Sequence, residues 1–138
     1  MPFVLDNSVV SGWYLESQAT PYGDSVAERL RDDRAGVPPI WELELANVLR
    51  TACLRGALDL QAATAAATRI VGLPIDVDRK PVSTLELLGL AMRFGLSSYD
   101  AAYLELALRA ALPIATVDER LAQAARTAGV GVLGSAPG

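Results

Sequence analysis

The chain has 138 residues, is 51% hydrophobic, and carries 12 basic against 16 acidic side chains, a formal charge of −4. That length makes one domain, and that apolar share fills a core without cross-links. With no histidine and a single cysteine, Cys53, the sequence excludes Ser-His-Asp and Cys-His catalysis, Cys/His zinc sites and an intramolecular disulfide.

Residues 2–5 (PFVL) are a short apolar run ended by Asp6, a buried-strand pattern. Asn7 or Ser8 then caps a short helix to about Leu15. Residues 21–34 read as a second helix, and Val37 as a minimal strand. Pro38-Pro39 starts a helix from Ile40 to about Gly56. Asp59 caps another, through Val71. IDV at 75–77 is the next strand, followed by a helix over 82–94 closed by Gly95. Ser97 or Ser98 caps a helix over 99–111, and PIATV at 113–117 is a strand. Asp118 opens a helix to Ala128, with Gly129 at its end. VGVL at 130–133 is a last strand, and residues 135–138 form a short tail beyond a domain of 1–134. Strands alternating with helices predict an α/β fold, a parallel sheet of four to five short strands flanked by helices.

Ligands of such sheets lie at the carboxyl ends of the strands. Asp6 ends the first strand and Asp118 follows PIATV, so both fall on that edge. Asp100 lies in the first turn of its helix among Ala101, Ala102, Tyr103 and Leu104, an apolar setting that is costly for an unpaired carboxylate. On the helix from Ile40, a turn of ~100° per residue puts Trp41, Leu45, Val48 and Ala52 on one stripe. Glu44, Asn47 and Thr51 cluster on one flank of it, while Glu42 falls on the other with Leu49 and Cys53. A polar cluster at the edge of a buried stripe suits a site wall, which favours Glu44 over Glu42. Several carboxylates without histidine point to a hard divalent cation, Mg²⁺ or Mn²⁺, which can activate water and support an in-line phosphoryl displacement.

The opening VLDNSVV, PPIWELELANVL and LSSYDAAYLELALRAALPIATVDERLAQAARTAGV, in that order and at this chain length, resemble the PIN-domain proteins and, more narrowly, the VapC toxins of VapBC toxin–antitoxin pairs. The resemblance implies a Mg²⁺- or Mn²⁺-dependent endoribonuclease. It makes Asp6, Glu44, Asp100 and Asp118 the catalytic, metal-binding set, with Asn7, Asn47 and Thr116 in support. It further implies a homodimer, a VapB-like antitoxin covering the groove, and operator DNA bound only through that antitoxin. A PIN nuclease outside toxin–antitoxin biology, and a catalytically silent PIN interaction module, remain the alternative readings. Ser8 stands where a haloacid-dehalogenase-like phosphatase needs its second Asp, which counts against that fold neighbour.

Arg50, Arg55, Arg93 and Arg109 are candidates to meet phosphates, and Trp13, Tyr14 and Trp41 to stack bases or line an oligomer interface, with the stripe favouring core or interface for Trp41. No apolar run reaches the ~18–20 residues of a membrane span. The N-terminus also lacks a signal peptide's basic region. A cytoplasmic location and no membrane partner are therefore expected. Removing the four site acids leaves twelve acids against twelve bases, so the acidic excess equals the predicted site and does not weigh against an RNA substrate.

Overall fold

The computed structural model describes residues 2–134. The predicted tail at 135–138 lies outside them. Four parallel strands form one sheet, β1 (Phe3–Leu5), β2 (Ala35–Val37), β3 (Ile75–Val77) and β4 (Ile114–Ala115), in the order β3-β2-β1-β4. The predicted α/β class therefore holds. Phe3, Val4 and Leu5 are fully buried, as a central strand covered on both faces must be. The helices are α1 (Pro21–Arg29), α2 (Ile40–Leu54), α3 (Leu60–Val71), α4 (Thr84–Phe94), α5 (Ser98–Ala110) and α6 (Glu119–Thr127). Two short 3-10 helices, Asn7–Trp13 and Glu16–Gln18, join β1 to α1.

The chain steps outward from β1 to β2 to β3, then returns to the other side of β1 for β4. The order reverses between β1 and β4, and there the carboxyl ends leave a crevice. Val4 pairs with Ile114 and Leu5 with Ala115, a register that sets Asp6 beside Thr116. Under the sheet, α5 buries Ala101, Tyr103, Leu104, Leu106 and Ala107. Gly95, at φ +66°, closes α4 in the left-handed conformation that glycine accepts readily. Two residues later Ser97 caps α5, its hydroxyl accepting the Asp100 N–H at 3.1 Å.

Four expectations need correction. The strand predicted at 130–133 is a single parallel bridge, Ile114 to Val132. With only two residues in β4, Ile114 alone is offered to it, through Ile114 N–H to Gly131 O and Leu133 N–H to Ile114 O, both 2.9 Å. The helix predicted over 21–34 stops at Arg29, because the chain must turn before Ala35 enters β2. The helix predicted from 82 starts at Thr84, where the Ser83 hydroxyl accepts the Glu86 N–H at 3.0 Å. Leu49 is buried with Trp41, Leu45 and Ala52, whereas Val48 is half-buried. The α2 stripe is therefore wider than predicted, because α3 packs against it as well.

Candidate active site

Asp6 follows β1 directly, and its carboxyl is 5% exposed as a residue. Two hydroxyls hold it: Ser8 Oγ donates to Oδ2 at 2.5 Å and Thr116 Oγ1 donates to the same oxygen at 2.7 Å. Ser8 Oγ accepts the Val117 N–H at 3.1 Å, and Thr116 Oγ1 accepts the Asp118 N–H at 3.0 Å. The hydroxyls thus tie the end of β1 to the turn after β4. Burial raises the Asp6 pKa, and the field of Asp118 adds to that. The Ser8 and Thr116 hydrogen bonds pull the other way.

Glu44 enters from α2, half-buried. The Tyr103 hydroxyl donates to its Oε1 at 2.5 Å. Its pKa is raised by burial and by the fields of Asp6 and Asp100, against the Tyr103 bond. Tyr103 is fully buried, and burial together with Glu44 drives its own ionisation far upward, so it stays a fixed donor. Asp100 is half-buried in the first turn of α5, raised by burial and then by Asp6 and Asp118. Asp118 caps α6, its Oδ1 accepting the N–H groups of Arg120 and Leu121 at 2.9 and 3.2 Å.

Each of the four predicted acids is within the field of at least one other. None of them forms an ion pair among the described residues. Glu42, on the opposite flank, is committed to Arg79 at 2.9 Å. Of the supporting residues, Thr116 and Asn7 are at the site, and Asn47 is exposed on α2 without a hydrogen bond to the acids. Ser8 and Tyr103 were not among the predicted site residues. Tyr103 had a readable signal, since it lies one helical turn after Asp100.

The donor set suits a hard divalent cation. It consists of oxygens only, three of its carboxylates are raised by burial and then by neighbouring acids, and Asn7 Oδ1 is a buried acceptor without a partner. The arrangement is open, for no three acidic or thiol side chains among the described residues stand close enough to grip one ion directly.

Comparison with known proteins places the chain in a family. The family model described as PIN domain matches residues 3–127. Ribonuclease VapC12 of Mycobacterium tuberculosis, in two strains, is 30% identical over 104 residues, covering 75% of this chain and 79% of that protein. The crystal structure of PAE2754 from Pyrobaculum aerophilum superposes with a TM-score of 0.70 at 21% identity, over 90% of this chain and 84% of that one.

Proposed function

The chain belongs to the PIN-domain family, and from that premise we propose that it is a Mg²⁺- or Mn²⁺-dependent endoribonuclease, the toxin of a type II toxin–antitoxin pair neutralised by a VapB-like antitoxin. The likeness to a VapC ribonuclease supports the activity class. The observation that carries the reading is the mutual electrostatic influence of Asp6, Glu44, Asp100 and Asp118, none of which has an ion-pair partner among the described residues.

Asp6, Asp100 and Asp118 would hold the ion, reaching it in part through water, with Glu44 completing the set. When bound, the ion supplies Lewis-acid stabilisation of the phosphate charge and lowers the pKa of water. Ser8 and Thr116 keep the Asp6 carboxylate in one orientation, so little reorganisation is needed at the moment of reaction. Tyr103 fixes one oxygen of Glu44. The other is free to accept a hydrogen bond from the attacking water and align it with the leaving 3′ oxygen. The water oxygen bonds to phosphorus as the bond to O3′ breaks; the proton it loses passes to solvent, and O3′ takes up one from solvent. The products carry a 5′-phosphate and a 3′-hydroxyl.

No helix among the described residues is long and apolar enough to cross a membrane. On α4, Leu85, Leu88 and Met92 are exposed, which supports the homodimer and antitoxin contacts of this reading. The reading is tested with a panel of defined RNAs, with Mg²⁺ and with EDTA, and by mapping the product ends. Cleavage only with the divalent ion, leaving 5′-phosphate ends, is expected. A 2′,3′-cyclic phosphate, or undiminished cleavage in EDTA, refutes it. Partner binding without cleavage of any RNA favours the silent interaction module.

A further inference from the structure

A cavity of about 380 Å³ lies between α2 and the two 3-10 helices; none of the four acids lines it, but Asn7 and Ser8, the two residues after Asp6, do. Asn7 and Ser8 form its inner end, next to Asp6. Tyr14 lies on one wall and Thr51 on the other, with Arg55 at the end of α2. Eleven residues separate Arg55 from Glu44, about 16 Å along the helix axis. We propose that this cavity is a nucleotide subsite: it takes one nucleotide of single-stranded RNA beside the cleaved bond, with the base against Tyr14 and a neighbouring phosphate on Arg55. The inference rests on the ribonuclease reading above and assigns the part of the substrate that reading leaves open.

Of the four candidate arginines only Arg55 lines this cavity, and of the three candidate aromatics only Tyr14 does. Arg109 is engaged by Glu105 and Asp78, and Arg34, Arg79, Arg31 and Arg126 have acidic partners too. Arg55 is exposed, lines the cavity and makes no ion pair among the described residues, so its charge is available to a phosphate. Trp41 is 3% exposed, within the core, and the Trp13 indole donates to Gly23 O at 2.9 Å. Tyr14 alone of the three lines the cavity, and its hydroxyl makes none of the described hydrogen bonds.

Asn7, already part of the oxygen-rich end of the site, also lines the cavity. It is nine-tenths buried at the inner end, and its Oδ1 accepts from no group of the protein. Leaving such an acceptor unpaired is costly.

The wall is stiff. A Cβ on Gly12 would sit 2.7 Å from Gln18 O, so only glycine lets the two 3-10 helices close on each other there. The volume falls in the range of single-ligand pockets, ~300–1,000 Å³. It admits one unstacked nucleotide and no duplex, and stacking on an aromatic with cationic backbone contacts is how unpaired strands are held.

The test uses a single-stranded RNA that the wild-type protein cleaves with Mg²⁺, and compares Arg55→Gln, Tyr14→Leu and Tyr14→Phe, each checked for folding by thermal melting. Arg55→Gln should act chiefly on KM, and should make log(kcat/KM) against log[salt] shallower by roughly 0.7, the signature of one lost phosphate contact on a single strand. Tyr14→Leu should raise KM about tenfold, and Tyr14→Phe should stay near wild type because the ring remains. Arg55 is exposed, so its result stands even if Tyr14→Leu unfolds. Wild-type KM and salt slope in Arg55→Gln, with RNA still cleaved, overturn the subsite and leave the ribonuclease reading intact. Unchanged RNA kinetics with lost antitoxin binding also overturn it, making the cavity a protein-docking site. If the wild-type protein cleaves no RNA at all, the ribonuclease reading has failed and the subsite falls with it.

Discussion

Asp78 follows β3 as Asp6 follows β1, yet the two carboxylates live in opposite surroundings. Arg109 donates to both oxygens of Asp78, at 3.1 and 3.2 Å, and also grips Glu105 at 2.7 and 3.1 Å. Nearby, Arg34 forks onto Asp76 at 2.8 Å through each nitrogen. These bonds hold Asp76 and Asp78 below the usual carboxylate range. At the other end of the sheet, Asp6, Glu44 and Asp100 are raised by burial first and then by neighbouring acids, Asp118 acting on Asp6, Asp6 and Asp100 on Glu44, and Asp6 and Asp118 on Asp100. One corner carries its own cations, and the other gathers acids and supplies none. Surplus negative charge left buried makes sense if a cation arrives from outside.

Breaking the uncompensated corner should have the largest effect. Asp6→Asn keeps shape and the ability to accept from Ser8 and Thr116, but removes the charge. RNA cleavage with Mg²⁺ is expected to fall at least about a hundredfold. The melting temperature should hold or rise, because a buried charge is gone. Wild-type activity in this variant removes Asp6 from the catalytic set.

Breaking the compensated corner should cost stability and spare chemistry. Arg109→Gln leaves Glu105, with a side chain only 6% exposed, without its partner. The expected loss is about 1–3 kcal/mol in urea unfolding, with kcat unchanged. A loss of kcat with unaltered stability reverses the comparison.

Metal and pH should separate the two corners next. Saturating Mg²⁺ or Mn²⁺ should raise the melting temperature at neutral pH by about 5 °C, and less as acid neutralises the site. Without metal the signs differ. The raised groups take up protons in the folded state while the unfolded chain still holds them ionised. They therefore add stability as pH falls from neutral toward the ordinary values of 3.8 and 4.5. Asp76 and Asp78 do the reverse: their contribution is present above 3.8 and is lost as pH falls below it, through their lowered values. A melting temperature indifferent to divalent ions at neutral pH contradicts the cation assignment.

Much of this contrast was legible in the sequence. Apolar runs ended by Asp placed Asp6 and Asp118 at one edge, and helical phase separated Glu44 from Glu42. Long-range pairing was not legible. Nothing local announces that Arg109 reaches Asp78, 31 residues away, or that the Tyr103 hydroxyl reaches Glu44, 59 residues away. Those contacts depend on how α5 crosses the sheet. The strand predicted at 130–133 failed for a similar reason. Its apolar pattern was real, but pairing required a β4 longer than two residues.

The smallest expected effect gives the sharpest view of how the acidic corner is tuned. Thr116 is 6% exposed, and its hydroxyl both donates to Asp6 Oδ2 and accepts the Asp118 N–H. Thr116→Val conserves shape and removes both bonds, while Ser8 still holds Asp6. The lost bond was lowering the Asp6 pKa, so that pKa should climb further. The acid limb of the pH–rate profile should then move to higher pH, with a several-fold loss near neutral pH that narrows in alkaline buffer. Stability should drop by about 1 kcal/mol for the stranded Asp118 N–H. Thr116→Ser should restore the limb, because the hydroxyl and not the methyl sets it. A Thr116→Val profile scaled down uniformly, with its limb unmoved, makes Thr116 a packing residue. The orientation of Asp6 then rests on Ser8 alone.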